Sequence, residues 1–388
     1  MKKKIAILGS TGSIGKSTLE VIKKNKKDFD VVLLSANNNY AKLIQQAREF
    51  KAKNVLINNQ LFYEKVKNSL KKDRIKVYSG NTSIKKIIRG KLDYTMAAIV
   101  GIAGLQPTVD AVQISRNVAI ANKETIICGW DILLLLIEKY KTEILPVDSE
   151  HFAIKELTNN IQDNEIEEII ITASGGPFLK KSINSLNYVL PKHAINHPKW
   201  KMGKKISVDS ANLINKVFEV IEACKIFNFD KKKYKIMIHP QSYVHSIIRF
   251  KNGLIKMILY NTDMKIPISN TLYQKNNYFS KISNVNPKVL NKLSFQKINE
   301  KKFPSIKLIN KSLTLGFAAP IIINASNEVL VNLFLNNKIA FLDIVKTINK
   351  VLKERDFKKY AKKKPKTVED IKIIDKWARL KTLGMCVI

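Results

Sequence analysis

The chain has 388 residues, too many for one compact hydrophobic core, so we expect about two or three domains. Its formal charge is +36, from 68 Lys and Arg against 32 Asp and Glu, which raises nucleic acid or an anionic membrane surface as a partner. The lysines are spread along the whole chain instead of forming a basic stripe, and hydrophobic residues make up 45%. The composition therefore favours an ordinary globular protein with no nucleic-acid partner.

Cysteine usage and apolar runs bear on localisation. Cys128, Cys224 and Cys386 are widely spaced and form no C-x-x-C, which excludes a disulfide framework or a zinc ribbon and fits a reducing cytosol. The apolar stretch behind the N-terminal lysines ends at Gly9, too early for a signal peptide. The longest apolar run, 132–137, is far shorter than the roughly 20 residues of a membrane helix and predicts a buried helix. We expect a cytoplasmic protein with no membrane partner.

The first third predicts a dinucleotide-binding domain. A β-type run at 4–8 leads into the glycine turn GSTGSIG and then into a helical pattern, the order of a dinucleotide fingerprint. Such a turn brings backbone N–H groups to a pyrophosphate at a helix N-terminus, although a mere tight connection is the alternative. Further strand candidates alternate with helical stretches at 31–35, 54–57, 76–78, 94–100, 118–121 and 144–147. This alternation is typical of a doubly wound α/β domain.

Two loops of this domain bear on the cofactor. After the second predicted strand the chain has Asn37, Asn38 and Asn39, where an NAD enzyme usually places an acid on the ribose 2′-hydroxyl. A neutral loop with Lys42 close behind tolerates a 2′-phosphate and favours NADPH. Lys123, at the carboxyl end of a later predicted strand, could reach a cofactor or a phosphorylated substrate. A plain helix start there is an equally good interpretation.

Asp148 and Glu150 form a candidate cation site. They follow the apolar run 143–145, and if that strand continued through them its two-residue period would put both side chains on one side. Ligation by oxygen alone suits Mg²⁺ or Mn²⁺, whereas zinc would favour histidine or cysteine. A solvated strand end is the alternative.

The middle third concentrates the remaining polar signals. All five histidines lie between positions 151 and 245. A predicted strand at 169–173 ends in the turn 174–177, which could cradle an anion or be a plain tight turn. The segment 197–205, HPKWKMGKK, predicts a mobile lid over a phosphorylated substrate. An exposed basic loop with one buried Trp is the other interpretation.

A helix is predicted directly after this segment. The pattern Leu213, Val217, Phe218 and Ile221 is helical, and Asp209 or Ser210 could cap it. On one face of that helix lie Asn215, Glu219 and Glu222 at i, i+4 and i+7, with Lys216 three residues before Glu219. The helix would supply a third carboxylate and phosphate contacts, unless this is ordinary polarity of a solvated helix.

Eight motifs in this order resemble the 1-deoxy-D-xylulose 5-phosphate reductoisomerase family, over a span from Lys4 to about Glu328. They are GSTGSIG, IVGIAGLQPT, ANKE, PVDSEH, SGGPF, HPKWKMGKKISVDSANLINKVFE, HPQSYVHS and NASNE. The resemblance implies an NADP-dependent oxidoreductase that isomerises a ketose phosphate and reduces it with NADPH. The product is 2-C-methyl-D-erythritol 4-phosphate, an intermediate of isoprenoid precursor biosynthesis by the methylerythritol phosphate pathway. It further implies a divalent cation, Mg²⁺ or Mn²⁺, and a homodimer.

The resemblance also implies residue roles. The metal ligands would be Asp148, Glu150 and Glu219. The substrate side and the chemistry would involve Lys123, Ser149, Glu150, Ser174, His197, Trp200, Ser210, Asn215, Lys216 and Glu219. The NADPH side would involve Thr11, Gly12, Ser13, Ile14, Asn39, Asn122, Glu124, Met202 and Gly203, with Trp200 and Met202 both in the closing loop. The chain departs from the family pattern at Asn37-Asn38, at Asn212 where Thr is common, and at Val217 where Gly is common.

The predicted architecture is a Rossmann-type NADPH domain at 1–148, a central α/β catalytic and dimerisation domain at 149–273, a linker at 274–302 and a helical domain at 303–388. Strands at 235–238, 244–250 and 254–259 could build a subunit interface. One rival is a metal-independent NADP-dependent semialdehyde dehydrogenase, which would need a cysteine nucleophile, but Cys128 and Cys224 sit in apolar helical patterns. The other rival is a basic nucleic-acid-binding protein, which no aromatic RNA-stacking motif supports.

Overall fold

The structure is a computed structural model that describes residues 1–80, 82–200, 202–274 and 285–386. One part of the predicted linker, residues 275–284, lies outside the described residues. The chain divides into two compact units. The first holds Met1–Thr125, Gly129–Phe152 and a segment that begins at Asp263, and the second holds Ile126–Cys128, Ala153–Thr262 and the C-terminal part of the chain. The predicted domain boundaries stay a prediction.

The regular elements of the described residues are numbered in chain order. The strands are β1 Lys3–Leu8, β2 Phe29–Ala36, β3 Asn54–Ile57, β4 Lys76–Ser79, β5 Leu92–Ala97, β6 Ser115–Ile120, β7 Glu143–Pro146, β8 Ile166–Ala173, β9 Tyr234–Ile238, β10 Val244–Phe250 and β11 Ile255–Leu259. The helices are α1 Ser13–Lys24, α2 Tyr40–Glu49, α3 Tyr63–Leu70, α4 Ile84–Ile87, α5 Leu105–Ile114, α6 Lys123–Tyr140, α7 Ser149–Leu157, α8 Pro191–Ala194, α9 Lys204–Ala211, α10 Ile214–Phe227, α11 Lys265–Tyr273, α12 Lys307–Thr314, α13 Ala319–Leu335, α14 Asp343–Val351, α15 Phe357–Ala361 and α16 Val368–Gly384.

The first unit is built on a seven-stranded sheet in the order β4-β3-β2-β1-β5-β6-β7. All of its strand pairs are parallel, which confirms the doubly wound prediction. The chain leaves β1 in one direction and returns at β5 to continue in the other, so a topological switch point lies between these two strands. Ligands of open α/β sheets bind outside the carboxyl ends of the strands at such a point.

Apolar strands explain why this sheet forms. Residues Ile5 and Ile7 are 0% exposed, as expected for a parallel strand that helices cover on both faces. The same core takes in Ile268 and Leu272 of α11, although about a hundred residues of the other unit separate this helix from β7. The hydroxyl groups of Tyr94 and Thr271 lie 2.9 Å apart and join α11 to β5. A late segment therefore completes the first unit.

The second unit contains a four-stranded sheet in the order β11-β10-β8-β9. Strand β10 is antiparallel to both β8 and β11, while β9 is parallel to β8. The C-terminal part is helical, as predicted, and α13 packs against α14 and α16. On these helices Leu330, Phe334, Ile344, Ile348 and Val351 are buried, whereas Val329 and Leu333 are only half-buried.

Two local predictions near the site are wrong. Strand β7 ends at Pro146 and α7 begins at Ser149, so Glu150 lies in the first turn of a helix and the strand alternation does not apply to it. Asp209 and Ser210 belong to α9 and do not cap α10. The reason is a sharp turn at Leu213, which has a left-handed backbone with φ of 61°.

A third prediction, burial of the whole run 132–137, is also wrong. The run is helical within α6, but Leu134 and Leu135 are 41% and 69% exposed. Six consecutive residues wind through more than a full helical turn, so some of them must face outward. Among the described residues, no helix has the length and the apolar composition that crossing a membrane requires.

Candidate functional site

The backbone of the glycine turn between β1 and α1 is closely packed, and the turn leads directly into the first helix. Gly9 has φ of +84°, and a Cβ there would lie 2.7 Å from the carbonyl oxygen of Ala98. A Cβ on Gly15 would lie 2.4 Å from the carbonyl oxygen of Gly9. Both positions therefore require glycine. The turn leads to Gly12, the N-cap of α1, so the first N–H groups of that helix and its dipole can receive an anion.

Seven of the nine residues predicted at NADPH lie at the carboxyl edge of the first unit's sheet, while Met202 and Gly203 belong to the second unit. Thr11 and Ile14 are half-buried, while Gly12, Ser13 and Asn39 are exposed. Asn39 is the N-cap of α2, since its Oδ1 accepts from the backbone N–H of Lys42 at 3.2 Å. The neighbouring Asn37 and Asn38 accept from the side chains of Asn58 and Asn59 at 3.2 and 2.9 Å. This loop offers amides and no carboxylate, which suits a phosphorylated ribose.

Asn122 has a structural position at the start of α6. It is 3% exposed, its Oδ1 accepts from the N–H of Thr125 at 3.0 Å, and its Nδ2 donates to the carbonyl of Gly101 at 2.8 Å. The amide thus caps α6 and holds the loop after β5. Its predicted contact with NADPH, like that of Glu124 in the first turn of α6, stays a prediction.

Lys123 and Asp148 are paired within the first unit. The Nζ of Lys123 lies 3.3 Å from Oδ2 of Asp148, and their side chains are 10% and 18% exposed. His151, fully buried, places its Nδ1 3.4 Å from Oδ1 of the same carboxylate. The backbone N–H of Glu150 donates to Asp148 at 3.2 Å, and the Ser149 hydroxyl donates to the Glu150 carboxylate. Two carboxylates, a hydroxyl and an ammonium are therefore grouped where β7 passes into α7.

His197 and Ser174 form a hydrogen-bonded pair in the second unit. The Nε2 of His197 lies 2.9 Å from Oγ of Ser174. Its Nδ1 accepts from two backbone N–H groups, those of Lys199 at 3.1 Å and Trp200 at 2.9 Å. Because Nδ1 is an acceptor, the proton of the neutral ring is on Nε2, which donates to Ser174. Ser174 Oγ also accepts from the N–H of Gly176 at 3.1 Å, so its own proton is available to an anion.

Electrostatics support the neutral form of this imidazole. Burial, and then the positive charge of Lys216, lower the pKa of His197 to about 4. At neutral pH the ring is therefore uncharged. It orients the Ser174 hydroxyl and contributes no charge of its own.

The turn 174–177 contacts the end of α9. Gly176 has φ of +65°, and a Cβ there would lie 2.8 Å from the carbonyl oxygen of Ser210. Ser210, in the last turn of α9, is half-buried. Asn212 precedes Leu213, the N-cap of α10, and its Oδ1 accepts from the N–H of Ile214 at 2.9 Å. The serines at 174 and 210 are thus held in neighbouring backbone segments.

Helix α10 carries a buried charged group. Lys216 and Glu219 form an ion pair in which the side chains are 6% and 2% exposed, and Asn215 Nδ2 donates to the same carboxylate. Such a pair is expensive to bury, and breaking it leaves an uncompensated charge. Glu222 is also buried, at 1%. The alternative of a solvated polar face is therefore wrong for Lys216, Glu219 and Glu222.

Among the described residues of the predicted lid segment, 197–200, 202 and 203 are irregular, Gly203 is the N-cap of α9, and the helix begins at Lys204. Trp200 is half-buried and packs edge-on against His245, with ring centroids 6.1 Å apart. His245 in turn stacks on Tyr260 at 3.9 Å. Met202 is half-buried and Gly203 exposed. Trp200 of this loop is therefore held by an aromatic contact with His245. Closure of the loop stays a prediction.

The sequence missed several buried polar contacts behind these groups. In the second unit, Asn327 of the NASNE motif donates to Asp209, and Ser305 donates to the carbonyl of Asn212. In the first unit, Gln46 contacts Ser10 of the glycine turn. In the sequence, Asn327 stands out only as a polar residue of the NASNE motif within an apolar helical run.

The cysteines do not support a semialdehyde dehydrogenase nucleophile. Cys128 is buried in α6, and burial raises the pKa of the Cys224 thiol to about 12. An activated thiol needs the opposite shift.

The fold and the site together define a dinucleotide-dependent oxidoreductase of the doubly wound class. Three family profiles match the chain in succession: 1-deoxy-D-xylulose 5-phosphate reductoisomerase at 5–129, its C-terminal domain at 144–227, and the DXP reductoisomerase C-terminal domain at 259–381. The chain belongs to the 1-deoxy-D-xylulose 5-phosphate reductoisomerase family.

Relatives and solved structures agree over almost the whole chain. The 1-deoxy-D-xylulose 5-phosphate reductoisomerase of Pelagibacter ubique is 44% identical over 99% of this chain and 100% of its own. That of Wolbachia pipientis wMel is 42% identical, with 90% of each covered. The Zymomonas mobilis enzyme, solved in complex with NADPH, has a TM-score of 0.92 at 34% identity and full coverage of both chains. A DOX-P reductoisomerase solved with NADPH, fosmidomycin and magnesium has a TM-score of 0.93 at 32% identity, with 99% and 98% covered.

Proposed function

We propose that this chain catalyses the NADPH- and divalent-metal-dependent isomerisation and reduction of 1-deoxy-D-xylulose 5-phosphate to 2-C-methyl-D-erythritol 4-phosphate in the methylerythritol phosphate pathway. The observation that carries the proposal is its near-complete overlap with a reductoisomerase solved with NADPH, fosmidomycin and magnesium. The family motifs lie on the elements that hold the groups described above. The glycine turn and the acid-free loop after β2 both suit NADPH.

The proposed metal ligands are Asp148, Glu150 and Glu219. Carboxylate oxygens alone are the donor set that Mg²⁺ and Mn²⁺ prefer, so the residues present fit the group. When bound, the cation supplies Lewis-acid polarisation of substrate oxygens, and NADPH supplies the hydride. Around the carboxylates, Lys123 holds Asp148 by its ion pair, and Asn215 holds Glu219 by its hydrogen bond. These neighbours fix the carboxylate orientations before any ligand arrives.

The proposed phosphate contacts come from the second unit. Ser174 offers its hydroxyl proton because His197 and Gly176 already occupy its acceptor side. Lys216 supplies a buried positive charge, while Ser210 and Asn215 add polar groups from the α9 to α10 turn. Trp200 and Met202 would exclude water when the loop closes, with Gly203 at its end. Lys123 and Ser149 are proposed to contact the reacting carbons' oxygens and to hold them in place.

A homodimer and a cytoplasmic location complete the proposal. Strand β11 is at the edge of its sheet, and Ile255 and Met257 are 59% and 41% exposed on it. An apolar exposed edge is a natural pairing surface for a second copy. The three cysteines form no disulfide in the described chain, which suits a reducing compartment. Light scattering of the wild type and of Ile255→Lys would test the dimer.

One assay tests the activity. Purified protein is given NADPH and 1-deoxy-D-xylulose 5-phosphate with Mg²⁺, with Mn²⁺ or with a chelator, and NADPH oxidation is followed by absorbance. We expect turnover with either cation, none with the chelator, and recovery when the cation is restored. Turnover that ignores the chelator would refute the metal proposal, and a lack of turnover under all three conditions would refute the function.

A further inference from the structure

Gln46 links helix α2 to the glycine turn of the first unit. It is 3% exposed, and Ser10, its partner in the turn, is 0% exposed. The Nε2 of Gln46 donates to the carbonyl oxygen of Ser10 at 2.9 Å, and its Oε1 accepts from Ser10 Oγ at 2.8 Å. Both ends of the amide are therefore used on a single residue. A two-point bond of this kind fixes orientation as well as distance.

The rest of the turn is fixed from other sides. The N–H of Ser10 donates to the carbonyl of Ser35 at 2.8 Å, and the N–H of Gly9 donates to Ser35 Oγ at 3.0 Å. Gly15 packs so closely that a Cβ there would lie 2.5 Å from Cα of Ser10. Strand β2 and helix α1 thus hold two sides of the turn, and Gln46 is its tie to α2.

Helix α2, which carries Gln46, begins at the loop proposed to hold the 2′-phosphate of the cofactor. Asn39 caps α2, and Lys42 lies in its first turn. Gln46 follows Asn39 by seven residues, about two helical turns, so the two lie on the same side of the helix. One rigid element therefore joins the pyrophosphate-binding turn to the loop proposed to hold the 2′-phosphate.

We propose that Gln46 is a positioning residue that sets the distance between the pyrophosphate-binding turn and the start of α2, and so favours NADPH over NADH. The inference rests on the proposed function, in which this unit binds NADPH. NADPH would place its pyrophosphate at the turn and its 2′-phosphate at the start of α2, whereas NADH lacks the 2′-phosphate and loses that second charged contact. A fixed separation lowers the ordering cost of the ligand that spans both. Because Gln46 is buried, it acts on the cofactor only by holding Ser10 to α2.

Three variants separate the two bonds. Gln46→Met keeps the shape and removes both, Gln46→Glu keeps the acceptor and removes the donor, and Ser10→Ala removes the hydroxyl and keeps the carbonyl. Asn54→Leu is the matched control. Asn54 is a buried amide that donates to the carbonyl of Val32 at 2.9 Å, at the amino end of β3 and so at the opposite edge of the same sheet.

The measurements are dissociation constants for NADPH and NADH by fluorescence, KM for both substrates, and the melting temperature of the full chain. We expect Gln46→Met to weaken NADPH binding about tenfold and NADH binding clearly less, with KM for the sugar phosphate within about twofold. Ser10→Ala, which loses one of the two bonds, should fall between Gln46→Met and the wild type, and Gln46→Glu should lose at least as much as Gln46→Met because its buried carboxylate faces the Ser10 carbonyl. Asn54→Leu should lower the melting temperature without changing the NADPH to NADH ratio.

Several results would overturn the proposal. One is an equal loss for both cofactors, and another is a profile for Gln46→Met that matches Asn54→Leu. If Gln46→Met does not fold, an unchanged cofactor ratio in Ser10→Ala and Gln46→Glu is decisive against it. A wild type that fails to bind NADPH would instead refute the proposed function, so the two failures are distinguishable.

Discussion

Asn327 on α13 donates a 2.8 Å hydrogen bond to the carboxylate of Asp209 on α9, and both residues are buried. The other oxygen of Asp209 lies 3.1 Å from Nζ of Lys205. Asp209 immediately precedes Ser210, so the C-terminal helices hold the turn that presents a proposed phosphate contact. The NASNE motif thereby acquires a physical role.

We expect Asn327→Leu to raise KM for the sugar phosphate and to destabilise the protein by about 1–3 kcal/mol, because Asp209 loses a donor in a buried site. KM for NADPH should stay the same. The control is Ser326→Ala on the same helix, which removes the 2.8 Å hydrogen bond that the Thr382 hydroxyl of α16 donates to Ser326. An exchange of the pair, Asp209→Asn with Asn327→Asp, should restore part of the KM loss. Equal KM values in Asn327→Leu and Ser326→Ala would contradict this role.

Glu219→Gln should lower kcat by about a hundredfold or more while NADPH affinity stays within about twofold. The substitution keeps the shape but removes the charge that a cation and Lys216 require. Isothermal titration with Mn²⁺ and steady-state kinetics provide the measurement. The control is Glu167→Gln, which breaks an exposed 2.8 Å ion pair with Arg249. Parallel losses in kcat and NADPH binding would mean that Glu219 supports the fold instead.

His197 should remain neutral across the physiological range. Its pKa is lowered to about 4 by burial and by Lys216, against about 6.5 in an unfolded chain. The neutral ring is thus favoured by folding, so its contribution to stability is complete above about pH 6.5 and is lost as the pH falls towards 4. Nitrogen NMR of labelled histidine should find the proton on Nε2 at pH 7. A titration of this ring near pH 6.5 would contradict the assignment.

Gly176→Ala should damage substrate binding more than stability alone explains. The position has a left-handed backbone, and the new Cβ would press on the carbonyl of Ser210. Gly253 is the matched control because its φ is +87° and nothing lies within 4 Å of a Cβ there. Both variants should cost about 1–2 kcal/mol of stability from backbone strain. Only Gly176→Ala should raise KM for the sugar phosphate. A similar rise in Gly253→Ala would contradict the claim that the effect comes from the contact with Ser210.

Strand patterns and glycine spacing were sufficient to predict the first unit's sheet. Continuous apolar runs identify strands with both faces covered, and β3 begins and ends where the sequence placed it. The same is true of β10 in the second unit's sheet. The predicted run at 94–100 extends too far, since β5 ends at Ala97. Strand ends depend on where neighbouring strands stop pairing, which periodicity does not record.

The site was predicted less completely, and for a physical reason. Glu219 and Lys216 were found because their spacing places them on one helical face. The cap of α10 was not, since a left-handed residue at Leu213 is unusual for a branched side chain and is imposed by the turn's surroundings. Gln46 was not singled out, and Asp209 was considered only as a helix cap, because the partners of these buried groups are distant in the chain.

The position of α11 has a consequence for how the protein is made. Lys3 donates through Nζ to the carbonyl of Leu272, so the opening strand and this helix are 269 positions apart in the sequence. When β7 has just been synthesised, the chain still lacks α11, the helix that packs into the core of its sheet. At about 5–20 residues per second, the ribosome takes several seconds more to deliver it. During that interval the apolar residues that pack with Ile268 and Leu272, Ile5 among them, lack this helix. A fragment that stops near residue 152 would never acquire it.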